Sequence, residues 1–155
     1  MKENKYKIIV IGGFGQLGKA IQVVSKNFNH SIKFFSRNEL DITNFKNTDA
    51  IISDYSPHFI INCAAYTNVN LSEYNNDKAN LVNNLAVGNL CEICKRLDVG
   101  IIHISTDYVF DGLLGKQYKE TDKTNPINYY GLSKLNGEKL FLNFSLNKSI
   151  IIRTS

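Results

Sequence analysis

The chain has 155 residues, 43% of them hydrophobic, with a formal charge of +4 and a pI near 8.9; this suits one globular domain with a real core and excludes a disordered chain. Its longest apolar runs, such as Ile8 to Ile11 and Ile150 to Ile152, fall far short of the roughly 20 residues a membrane helix needs. Three cysteines, Cys63, Cys91 and Cys94, are an odd count that does not suit a disulfide framework, and lysines scattered from Lys2 to Lys148 fit a phosphate-bearing ligand at least as well as nucleic acid.

The chain starts Met1-Lys2-Glu3-Asn4-Lys5. The apolar run that follows is short and enters glycines without a small-residue cleavage site, so no signal peptide and a cytoplasmic location are expected. Ile8 to Ile11 reads as a buried strand, followed by a helix carrying Leu17, Ile21 and Val24. Further strands are expected at Ile32 to Phe35, Phe59 to Ile61, Ile101 to Ile104 and Ile150 to Ile152, with a short extra one near Leu40 to Ile42. Two more helices are predicted, from about Lys78 to Leu97 and from about Tyr130 to Phe144. In the first, Leu90, Ile93, Cys94 and Leu97 fall at helical spacing, so Cys94 reads as a small buried apolar residue despite the Cys91-Glu-Ile-Cys94 pattern. This alternation predicts an α/β fold with a mostly parallel sheet and helices on both faces.

Gly12-Gly-Phe-Gly15-Gln16-Leu17-Gly18 lies between the first strand and the first helix, with three-residue steps separating Gly12, Gly15 and Gly18. Glycine permits a tight turn and lets backbone N–H groups approach a pyrophosphate at the positive end of a helix, so this segment predicts dinucleotide binding. The second strand ends Phe35-Ser36-Arg37-Asn38, with no acid to hold the ribose hydroxyls of NAD; Arg37 could pair with a 2′-phosphate instead, which favours NADPH over NADH. Asn62-Cys-Ala-Ala65-Tyr66-Thr67 follows the third main strand, where small side chains let a flat ligand lie against the backbone.

Ser105-Thr106-Asp107-Tyr108-Val109-Phe110-Asp111-Gly112 follows the fourth main strand and places two hydroxyls and a carboxylate at the ligand edge. The polar connection from Phe110 to Asn128 leaves the same edge, and loops of that length are usually functional. Next comes Tyr130-Gly-Leu-Ser-Lys134, whose four-residue spacing puts a phenol and an ammonium on one helical face, a pairing that can make a proton donor. His30, His58 and His103 are far apart in sequence and read as structural or surface residues, and no metal site is expected.

Together the Gly12 to Gly18 turn, Leu40-Asp41-Ile42-Thr43, Asn62 to Thr67, Ser105 to Gly112, Tyr130 to Lys134 and Ile152-Arg-Thr-Ser155 resemble the extended short-chain dehydrogenase/reductases, and within them the RmlD-like sugar-nucleotide (dTDP-4-dehydrorhamnose) reductase family. The resemblance implies a Rossmann-type, doubly wound NAD(P)-binding domain over 1–155, ending before a last strand and a substrate-binding lobe. It implies that NADPH, or NADH, reduces the 4-keto group of a dTDP-linked deoxysugar, such as dTDP-4-dehydro-L-rhamnose to dTDP-L-rhamnose, in polysaccharide biosynthesis. On this chain Tyr130 would be the general acid, Lys134 would hold the nicotinamide ribose and favour phenolate in Tyr130, and Thr106 would hydrogen-bond the substrate carbonyl. Gly12, Gly15, Gln16, Leu17, Gly18, Arg37, Asp41, Ile42, Ala64, Ala65, Tyr66, Tyr130 and Lys134 would line the cofactor, and Thr106, Asp107, Val109 and Phe110 the dTDP-sugar.

Members of this family usually continue Thr-x-Val-Asp where this chain has Thr67-Asn-Val69-Asn70, which removes a carboxylate from the substrate entrance. No membrane or nucleic-acid partner is expected, and a homodimer is left open. Two other readings share the fold: a sugar-nucleotide epimerase or dehydratase, and a non-catalytic dinucleotide-binding regulatory subunit like that of methionine adenosyltransferase.

Overall fold

A computed structural model of the protein describes residues 5–155; the charged start at Met1 to Asn4, on which the signal-peptide expectation rests, lies outside them. The elements run β1 (Lys7–Ile11), α1 (Gln16–Ser25), β2 (Ser31–Phe35), α2 (Phe45–Tyr55), β3 (Phe59–Asn62), α3 (Val69–Ser72), α4 (Asn76–Asn80), a π-helical turn (Leu81–Leu85), α5 (Ala86–Leu97), β4 (Gly100–Thr106), α6 (Tyr129–Asn143) and β5 (Ser149–Thr154). The strands form a single parallel sheet in the order β2-β1-β3-β4-β5. Strand order therefore reverses at β1, which opens a crevice at the carboxyl ends of β1 and β3 where open α/β sheets bind ligands.

That same reversal distributes the helices. Right-handed crossovers running one way from β1 to β2 and the other way from β2 onward put α1 on one face and α2, α5 and α6 on the other. The second face holds the main core. Ile9, Ile60 and Ile101 lie side by side in register and pack with Ile52 of α2, with Val87, Leu90 and Cys94 of α5 and with Phe141 of α6. Pleating sends alternate residues to the α1 face. There Ile150 and Ile152 are 52% and 42% exposed, because α1 lies beside β1 and β2 and does not reach β5.

Each of the five main predicted strands is present. The sixth, Leu40 to Ile42, is instead a turn, in which Leu40 N–H donates to Ser36 O and both Leu40 and Ile42 are buried. The expected helix from Lys78 to Leu97 is interrupted by the π turn at Leu81–Leu85, and α2 was not foreseen. Asn44 begins α2 by accepting from Asn47 N–H, and Thr48 and Ile52, four apart, supply its buried contacts. On α1 the expected apolar face is mostly open: Leu17 and Val24 are exposed, and Gly18 is the buried residue.

Cys91 and Cys94 are free and buried, and burial pushes both thiols up to about 12, so the pair is inert packing. Among the described residues no helix is long and apolar enough to cross a membrane, and no His, Cys, Asp and Glu group is arranged to hold a metal ion.

Candidate functional site

The β1 side of the crevice is made of backbone. Gly12 has φ +71°, and a Cβ on it would lie 2.8 Å from the amide nitrogen of Ala64, so the glycine turn and the segment after β3 meet at van der Waals distance only because Gly12 has no side chain. A Cβ at Gly18 would lie 2.5 Å from the Gly13 carbonyl, so Gly18 lets α1 fold back onto its own turn. Gly15 precedes α1 in an extended conformation, without a side-chain cap, and no acid occupies the first turn of the helix. The N–H groups that open α1, at Gln16 and Leu17, are therefore left for an anion, in the positive field of the helix terminus. Gln22 steadies the turn by donating to Gly13 O at 2.7 Å.

Beyond β2, Arg37 is exposed and ion-paired to Asp41 at 3.1 Å. Asp41 is also held by Thr43, whose N–H and hydroxyl donate to its Oδ1 at 2.9 and 2.7 Å. Burial pushes the Asp41 carboxyl up, but the bonds from Thr43 and Arg37 outweigh it and hold the group below its ordinary value. Ile42 departs from expectation: its side chain is 3% exposed in the main core, so a ligand at this edge could touch its backbone only.

After β3 the segment turns on Asn62, which is fully buried, accepts from Ala64 N–H at 3.1 Å and meets His103 Nδ1 at 3.2 Å. Ala64, Ala65 and Tyr66 are half-exposed along the crevice. Asn83, in the π turn, was missed by sequence reasoning. It accepts from Tyr66 N–H at 2.8 Å, donates to Tyr66 O at 3.0 Å and donates to Ser133 Oγ at 2.9 Å, so one amide side chain fixes both the crevice wall and α6. π turns frequently occur at functional sites for this reason. A polar residue flanked by Leu81, Val82 and Leu85 was the signal that could have found it.

The β4 side is made of side chains. Thr106 ends the strand at 5% exposure, donating to Asp107 Oδ1 at 3.1 Å and accepting from Tyr108 N–H at 3.2 Å. Asn128 caps α6 by accepting from Gly131 N–H at 2.8 Å, which places Tyr130 in the first turn, beside Thr106 and edge-on to Tyr108 at 5.6 Å. Lys134, one turn later, is 1% exposed and donates from Nζ to Ile104 O at 2.6 Å. Burial pulls the Lys134 ammonium down to about 8, against the opposing pull of Glu138 and Cys63. The Tyr130 phenol moves the other way: burial pushes it up, Thr106 draws it down, and Asp107 and Tyr108 add to the rise. Lys134 is not among the groups that move the Tyr130 phenol in the free chain. Desolvation dominates at the phenol, and the ammonium is directed at the β4 carbonyl.

Asp107 is exposed at the crevice. Val109 and Phe110 are not. Their side chains are 0% and 8% exposed in a second small core with Leu135, against which Tyr118 packs, and the Phe110 and Tyr118 rings stack at 4.2 Å. They anchor the loop. Asp111 organises that loop, accepting from Tyr118 OH at 2.6 Å, Leu113 N–H at 3.0 Å and Asn125 Nδ2 at 3.2 Å, and the Tyr118 bond leads in holding its carboxyl down at about 2. His30 and His58 flank Tyr6 edge-on at 5.4 and 5.8 Å at the amino ends of the strands, away from the crevice.

A family model described as "RmlD substrate binding domain" matches residues 6–155. A curated dTDP-4-dehydrorhamnose reductase of Aggregatibacter actinomycetemcomitans is 42% identical over 150 residues, covering 96% of this chain and 51% of that protein. The dTDP-4-keto-6-deoxy-D-glucose reductase of Streptomyces niveus is 34% identical over 147 residues, covering 95% and 51%. Among solved structures, dTDP-4-dehydrorhamnose reductase from Bacillus anthracis in complex with NADP superposes with a TM-score of 0.94 at 36% identity, over 100% of this chain and 55% of that one. The chain spans about half the length of the curated relatives it matches.

Proposed function

We propose that this chain, which belongs to the RmlD substrate binding domain family, is the dinucleotide-binding half of an NADPH-dependent reductase acting on the 4-keto group of a dTDP-linked deoxysugar. The observation that carries the reading is convergence at one sheet edge. An uncapped α1 terminus behind a glycine turn and a Thr106, Tyr130 and Lys134 group stand at the carboxyl ends of β1 and β4. The relatives reduce ketones by name, one of them dTDP-4-dehydrorhamnose and the other dTDP-4-keto-6-deoxy-D-glucose.

The residues fit the cofactor. Gly12, Gly15 and Gly18 with the N–H groups of Gln16 and Leu17 would hold the pyrophosphate, and exposed Arg37 would exchange part of its pairing with Asp41 for a 2′-phosphate. Ala64, Ala65 and Tyr66 would form the wall, and Lys134 would hold the nicotinamide ribose. When bound, NADPH supplies the hydride that reaches the carbonyl carbon. Tyr130 carries its proton at neutral pH as any phenol does, burial holds it more firmly still, and it would pass that proton to the oxygen that gains negative charge. The Thr106 hydroxyl would turn from Asp107 to donate to the same oxygen, and Asp107 would face the sugar. A cytoplasmic location goes with this substrate class.

The test is a titration of the chain with NADPH and with NADH, followed by nicotinamide fluorescence, then nicotinamide oxidation on adding dTDP-4-dehydro-L-rhamnose. Saturable NADPH binding is expected, and Arg37→Ala should weaken it about tenfold while leaving NADH within about twofold, the loss of one charge-assisted contact. Absence of saturable binding would overturn the reading.

A further inference from the structure

Below Lys134 on α6 lies an ion pair, buried at Glu138 and partly exposed at Arg153, that the proposed reaction does not use. Tyr130, Lys134 and Glu138 follow one another at helical turns, and Glu138 is 1% exposed. Its carboxylate accepts from Ser105 Oγ on β4, and from Arg153 on β5 through Nε at 3.0 Å and Nη2 at 2.7 Å. Ser105 and Arg153 are register partners in the sheet. Lys134 meanwhile holds the carbonyl of Ile104, the residue before Ser105, so successive turns of α6 grip successive residues of β4. Arg153 reaches further: Nη1 donates to Glu120 O at 3.2 Å, and the guanidinium lies 5.1 Å from the centre of the Phe110 ring.

We propose that the Glu138–Arg153 pair is the positioning unit for Lys134: it docks α6 on β4 and β5 and balances charge beneath the lysine, so that the ammonium is retained in a site that has excluded water. Burying a carboxylate in an ion pair is a poor way to gain stability, since taking that charge out of water costs several kcal/mol and apolar side chains of similar volume often serve as well. Its place here is better explained by what it faces. Three elements present titratable groups to Lys134: Glu138 from α6, Cys63 from the end of β3 and His103 from β4. Burial holds the Cys63 thiol up at about 11 and holds His103 well below its ordinary value, so both are neutral at pH 7. Glu138 is left as the nearby acid that favours the ammonium, and Arg153 pairs with it at 2.7 Å.

With both partners present the pair is neutral beneath the lysine. Glu138→Gln keeps the shape but leaves the Arg153 cation unbalanced, which disfavours a second cation nearby. Removing both charges, with Glu138→Met and Arg153→Met together, restores neutrality. A merely structural role predicts the reverse order, with the double variant the more damaged.

The experiment rests on the proposed function only in its last arm. Lysine 13Cε chemical shifts of the free chain are titrated, with Lys134 assigned by loss of its signal in Lys134→Met. The wild-type midpoint is expected near 8. Glu138→Gln should lower it by about one unit or more, the double variant should lower it by less, and Glu138→Asp, which keeps the charge, should stay within about half a unit of wild type. An unmoved midpoint in Glu138→Gln, or a double variant displaced as far as the single one, would overturn the proposal; if Glu138→Gln does not fold, displacement in Glu138→Asp does so. NADPH affinity is then measured against pH. Affinity that ignores a shifted Lys134 midpoint would remove Lys134 from the cofactor site and leave the clamp standing.

Discussion

Between β1 and α1 the crevice offers main-chain N–H groups behind glycines, with Gly15, Gln16 and Leu17 open to solvent. Between β4 and α6 it offers side chains, of which Thr106, Lys134 and Glu138 are at most 5% exposed and fixed by bonds to neighbouring strands or the adjoining turn. The first side is indifferent to side-chain chemistry and intolerant of volume. The second is the opposite, since its shape survives conservative changes while its charge balance does not. One crevice thus combines exposed main-chain N–H groups behind glycines with a desolvated cluster of side chains fixed by hydrogen bonds.

The largest expected effect tests the volume side. Gly18→Val places a branched side chain where a Cβ alone would lie 2.5 Å from the Gly13 backbone and 2.6 Å from Gly12 O. Backbone cannot yield as a flexible side chain can, so the change should cost about 3 kcal/mol or more of stability and abolish NADPH binding. Urea unfolding and the NADPH titration measure the two together. Retention of both would show that the glycine turn is not the tight element described.

The next effect tests the charge side. Lys134 titrates near 8 in the folded chain and near 10.5 when unfolded. Between those values the unfolded chain binds more protons, so stability rises with pH across that window, and the contribution is fully absent below the folded value. The difference amounts to about 3 kcal/mol at most. Lys134→Met should therefore flatten the stability profile of the chain between pH 8 and 10.5 relative to wild type. Parallel profiles for the two proteins would mean that the lysine is not desolvated.

How much of this could be read in advance follows the same division. The glycine turn was legible because a backbone function demands glycine at fixed steps, and the strands because each is a short run of isoleucine or phenylalanine. Tyr130 and Lys134 were legible from their spacing on one helix. Asn83, Glu138 and Arg153 were not, because their partners lie 17, 33 and 15 residues away in sequence and only the fold brings them together. Helix α2 is hard to read from the sequence because its two buried residues, Thr48 and Ile52, include just one strongly apolar side chain. Ile150 and Ile152 look like core in the sequence, yet they lie on the sheet face that α1 does not reach. Val109 and Phe110 sit at a strand end that reads as ligand edge, but the loop that Asp111 organises folds Tyr118 over them.

The smallest expected effect on cofactor binding separates the two sides most sharply. Tyr130→Phe removes one hydroxyl from the β4 side and leaves the anion cradle untouched, so NADPH affinity should stay within about twofold of wild type. In a form of the protein that turns over, reduction of the ketone should nevertheless fail, because phenylalanine has no proton to give to the oxygen that hydride transfer charges. Thr106 could still bind that oxygen, so substrate affinity should fall much less than rate. If Tyr130→Phe weakened NADPH as strongly as it slowed reduction, the phenol would belong to the cofactor's binding surface, and the division between a backbone side that binds and a side-chain side that reacts would fail at its central residue.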